Sequence, residues 1–98
     1  MWVGWVELDV LLGDVHSLKG KRALVRPLVA ELRRRFDVAA AEVGHVELHR
    51  RALIGISAVS GDRDHVTHVL DAADRFVAER PEVELLASRQ RLARSDDE

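Results

Sequence analysis

Lys19, Lys21, Arg22 and Arg26 fall within eight positions of the stretch "HSLKGKRALVRPLV", residues 16–29, and no carboxylate interrupts it. Cations in such a row bind anions, and a row can follow a phosphate backbone. Set at ~100° per residue on a helix, Lys19, Arg22, Arg26 and Arg33 fall within about 60° of one another. They lie roughly opposite an apolar stripe centred on Leu28 and Leu32, with Glu31 off their face. Lys21 turns instead toward the buried side, so that either its stem passes the core or the regular helix begins after it. Pro27 has no amide hydrogen and presses on the carbonyl four residues back. It therefore kinks the helix or belongs to a first turn that starts late. The competing reading of the whole segment is an ordinary solvated face, balanced by acids reaching over from other elements.

Other chemistry is thinner. His65 and His68 stand three residues apart, and His45 and His49 four apart, but two ligands do not complete a zinc centre. The neighbouring Asp62, Asp64 and Asp71 suit helix capping and solvation. No metal and no cofactor is expected. There is no Gly-rich phosphate loop and no nucleophile elbow, and Glu7 with Asp9 is too generic a carboxylate pair to assign catalysis. The expectation is a non-enzymatic binding protein with no catalytic residue.

The elements that must carry these residues follow from periodicity. "WVGWVELDVLL" alternates, with Val6, Leu8, Val10 and Leu12 on one side and Trp5, Glu7 and Asp9 on the other, which predicts a half-buried strand. Ser17 is placed to cap a helix whose Leu24, Val25, Leu28, Val29, Leu32 and Phe36 recur at helical spacing, ending near Phe36. A short strand around residues 38–43, a connection from Gly44 to Arg50, and a stronger strand over 51–60 follow. Asp62 caps a second helix with the stripe Val66, Val69, Leu70, Ala73, Phe76 and Val77; Pro81 stops it, and "EVELLASRQRLA" forms a last strand.

Strand, helix, strand, strand, helix, strand is the order of an α+β ferredoxin-like βαββαβ domain. Its antiparallel four-stranded sheet carries both helices on one face. Residues 1–93 are expected to form this one domain and residues 94–98 a frayed acidic tail. The uncovered sheet face should then show Trp5, Glu7 and Asp9 beside Leu53, Gly55, Ser57 and Val59. Trp5, Leu53 and Val59 make it a candidate homodimer interface. It is a poor RNA-stacking platform, because "RALIGISAV" has no aromatic residue and the two carboxylates repel phosphate.

Composition sets the outer limits. The chain has 98 residues, 47% of them hydrophobic and 33% charged, enough for one core. Without cysteine it has neither disulfides nor thiolate chemistry, which suits a cytoplasmic home. The apolar N-terminus is broken by Glu7 and Asp9 and fits neither a signal peptide nor a membrane span. Its net charge of −2 hides an uneven spread. Residues 16–35 hold seven of the fifteen cations against the single acid Glu31, so an anionic partner must be met there.

"SLKGKR" before the helix, "RRRFDVAAAEV" leaving it, "ELHRRALIGISAVSGDRDHV" and "ADRFVAERPEVELL" together closely resemble the YlxP-like family of small bacterial proteins of unknown function. The resemblance spans nearly all of residues 2–87. It implies a ferredoxin-like fold, a cytosolic protein and, through the family's association with translation and ribosome maturation, RNA or a ribosomal particle as partner. No reaction and no site residue comes with it. Gly20, Pro27 and His49 depart from the family's usual pattern, and Gly20 removes an acid that would have broken the basic run. The candidates Lys19, Lys21, Arg22, Arg26 and Arg33 therefore rest on charge alone.

Overall fold

The alternation of the first eleven-residue strand decides the layering. Val6, Leu8, Val10 and Leu12 of β1 (Trp2–Leu12) are fully buried, while Trp5 just before them is 41% exposed. The computed structural model describes residues 1–96. After β1 come α1 (Leu18–Phe36), β2 (Ala39–Gly44), β3 (Arg51–Ser60), α2 (Arg63–Ala78) and β4 (Val83–Arg94). The strands form one antiparallel sheet in the order β2-β3-β1-β4, so β1 is paired on both sides and β2 and β4 are edges. This is the ferredoxin-like arrangement that the element order predicts.

Both helices start and stop where their side chains dictate. The Ser17 Oγ accepts from the Gly20 amide at 3.0 Å, filling one of the orphan donors of α1. At the other end Asp37 takes a left-handed conformation, φ 55°, and donates its amide to the Arg33 carbonyl, closing a helix whose last turn, Arg33–Arg35, suits its negative pole. The Asp62 carboxylate likewise accepts from the Asp64 amide to begin α2. Val25, Leu28, Val29 and Leu32 of α1 and Val66, Leu70, Ala73 and Val77 of α2 are buried with Ala52, Ile54 and Ile56 of β3. Each such Leu or Ile contributes about 1.5–3 kcal/mol, and this burial holds a chain that has no disulfide. Gly4 lets α2 approach β1: a Cβ there would lie 2.5 Å from Val66 and 2.7 Å from Leu70.

Three expectations need adjustment. β2 starts at Ala39, because Val38 is spent as a buried link out of α1. Pro27 is interior to α1, nine residues past its start, so the first-turn alternative is overturned. β4 extends one residue into the expected tail, through Arg94, whose partner in β1 is Trp2, and the Ser95 amide donates to the Met1 carbonyl at 2.8 Å. Residues 97 and 98 of the expected tail lie outside the described residues.

Candidate nucleic-acid interface and open sheet face

The outer side of α1 presents Lys19, Arg22, Ala23, Arg26 and Pro27 around a shallow hollow open to solvent. Among the described residues, no carboxylate oxygen lies within ion-pair distance of Lys19, Arg22, Arg26 or Arg34. Three of the chain's acids are paired with other cations: Glu31 with Arg80, Asp9 with Arg51, and Asp96 with Arg94. Arg33 continues the row but spends its Nε on the Ala40 carbonyl of edge strand β2, at 2.9 Å. A charged side chain over that edge also obstructs another strand from pairing there. Arg34 flanks the row and is exposed, a cation that the angular argument passed over.

Pro27 leaves the Ala23 carbonyl without its amide donor four residues on. Both residues are exposed, so water meets that carbonyl and the cost is muted.

Lys21 does not belong to the interface. Its side chain is 2% exposed, and its ammonium sits 2.6 Å from Glu42 Oε2 on β2. It also donates to the carbonyls of His45 and Leu48, at 2.6 and 2.8 Å, and more weakly to that of Val46 at 3.4 Å. The cause is geometric: Lys21 lies on the core-facing side of α1, and the β2–β3 connection folds over its end. The ammonium organises that connection, including His45 in a left-handed turn at φ 58°. Of the five predicted cations, Lys19, Arg22 and Arg26 have no ion-pair partner among the described residues, Arg33 is partly engaged, and Lys21 is withdrawn.

The opposite face of the sheet is uncovered. Trp5, at 41% exposure, walls a groove whose floor is Gly55 and Ser57 of β3 and whose far side is Ala39, Ala41 and Val43 of β2. Of the predicted interface residues only Trp5 borders this groove. Leu53 packs under Gly44 at one end, where an added Cβ would come within 2.9 Å of it, and Val59 is 62% exposed toward the other. Asp9 is neutralised by a two-pronged Arg51 contact, Nε to Oδ1 at 3.1 Å and Nη2 to Oδ2 at 2.7 Å. His45 Nε2 lies 3.8 Å from the same carboxylate.

The register of β4 adds two cations that the sequence reading missed: Arg89 stands opposite Glu7 and Arg91 opposite Trp5. Their alternation in "SRQRLAR" was visible; the face they occupy was not, because a register shift in the β1–β4 pairing at Asp9/Val10 intervenes between Pro81 and these residues. The histidine pairs gain no third ligand: among the described residues no group of three His, Asp or Glu side chains is placed to hold a metal ion. Nor is any described helix long and apolar enough to cross a membrane.

A ferredoxin-like sheet with helices on one side, a cationic strip on the outer helix and an open opposite face defines a small α+β protein whose surfaces, not a cleft, are its distinguishing features. Over residues 3–90 the chain matches the family described as "Protein of unknown function (DUF503)", and it belongs to that family. It is 30% identical over 87 residues to the "Uncharacterized protein YlxP" of Bacillus subtilis (strain 168), covering 89% of this chain and 95% of that protein.

Proposed function

We propose that this protein is a cytoplasmic, non-enzymatic RNA-binding protein that engages structured RNA, such as that of a ribosomal particle, through the outer face of α1. The observation that carries this reading is that, among the described residues, Lys19, Arg22, Arg26 and Arg34 have no carboxylate partner, in a chain whose net charge is −2. Lys19 to Arg33 spans about 21 Å along the helix axis at ~1.5 Å per residue, a length that meets several consecutive phosphates. Five cations, counting Arg33 and Arg34, set a log–log salt slope between about −3.5 for single strands and about −4.5 for a duplex.

Arg22→Glu combined with Arg26→Glu tests this. Both side chains are exposed, so the fold should persist by circular dichroism. Co-sedimentation with ribosomal particles at low salt should be lost, and the salt slope of residual RNA binding should flatten by at least about 1.4. Binding unchanged by the double substitution overturns the reading.

A further inference from the structure

Trp5, Val43 and Val59 are large apolar side chains left exposed on strands that already have one face buried, and all three stand on the uncovered side of the sheet. We infer that this face docks a second copy of the same chain, sheet against sheet about a two-fold axis.

Shape is the first argument. An isologous interface requires one patch to offer both a projection and a recess. Trp5 stands beside the recess over Gly55, and Gly55 keeps that recess open on the Trp5 side while Val43 closes in from β2, 3.0 Å from where a Cβ would sit. Two copies related by a two-fold axis can each seat the indole of the other.

Charge is the second, and it selects the occupant. The face carries both signs in adjacent strands, Glu7 opposite Arg89, and no ion pair joins them or involves either residue among the described residues. A polyanion would meet Glu7, and a basic partner would meet Arg89 and Arg91. A second copy turned by half a revolution can set Arg89 of each chain against Glu7 of the other. Asp9 adds no net charge, since Arg51 holds it.

Area is the third. Four strands at ~4.8 Å spacing and ten residues at ~3.3 Å give a face of roughly 600 Å² in plan, or roughly 1,200 Å² for two copies. That meets the lower bound of specific interfaces.

Size-exclusion chromatography with light scattering, run from about 1 to about 500 μM, reads the outcome. The wild type should pass from monomer to dimer across that range. Trp5→Glu and, independently, Val43→Glu should each leave a monomer throughout with unchanged circular dichroism and melting temperature. Glu7→Arg alone and Arg89→Glu alone should each weaken the dimer at least tenfold, because residues 7 and 89 of the two copies then meet with like charge. Mixed in equal amounts, these two variants should form a heterodimer, although each chain still holds like charges across its own strands. A wild type monomeric at every concentration overturns the inference. So does a dimer indifferent to both glutamate substitutions, or a mixture of the two charge variants that stays monomeric.

Discussion

An ammonium that is 2% exposed has three protons to place and one charge to offset, and Lys21 places all of them on one short connection. The Glu42 carboxylate supplies the charge, and the carbonyls of His45, Val46 and Leu48 supply acceptors. Removing one partner of such a pair costs about 3–5 kcal/mol when both are buried. Glu42 is 22% exposed and recovers some hydration, so Lys21→Met, which keeps the apolar stem, should cost about 2–3 kcal/mol. Urea unfolding measures that loss, and hydrogen exchange should show residues 45–50 opening long before the strands. A loss below about 0.5 kcal/mol would mean that the cage contributes little. The inward turn of Lys21 was legible from its angle on the helix, but its partners were not. They lie 21 to 27 residues away, and no local pattern in "EVGHVEL" announces that its carbonyls converge on a cation.

At the scale of the element, the helices and strands were legible because independent local signals agreed. Ser17 and Asp62 cap where the apolar periodicity begins, and both act as caps through their side-chain oxygens. Pro27 is where local preference and fold conflict: the proline disfavours the helix, yet Val25, Leu28, Val29 and Leu32 on either side of it are buried against the sheet. Tertiary burial outweighs the local cost. Because Pro27 is exposed, Pro27→Ala restores an amide donor for the Ala23 carbonyl at little cost in burial. The substitution should stabilise the protein by about 1–3 kcal/mol, visible as a higher melting temperature, with RNA affinity unchanged within twofold. An unchanged or lower melting temperature would show that α1 is relaxed around the proline. The candidate strip was legible as charge; that no carboxylate among the described residues pairs with it was not, since that depends on where acids such as Glu31 find their own partners across the fold.

In the whole molecule the two surfaces lie on opposite sides of the sheet, and this makes their consequences separable. If copies join through the open faces, the helices turn outward and the two α1 strips stand on opposite sides of the dimer. With layers of about 10 Å each, the strips are roughly 30 Å or more apart. A short single-stranded RNA meets one strip, whereas a long or folded RNA reaches both and gains the effective concentration of the second. The wild type, at concentrations where it is dimeric, should therefore bind an RNA of about 60 nucleotides at least tenfold more tightly than one of about 10. Trp5→Glu should erase most of that gap while leaving the affinity for the short RNA unchanged, because the substitution lies on the far face from Lys19, Arg22 and Arg26. Arg22→Glu with Arg26→Glu should instead depress both affinities and leave the dimer intact. Fluorescence anisotropy with the two RNAs at fixed low salt distinguishes these patterns. A gap that survives in a monomeric Trp5→Glu variant would show that length dependence comes from one strip sliding among sites on a longer lattice, and that the two surfaces act without reference to each other.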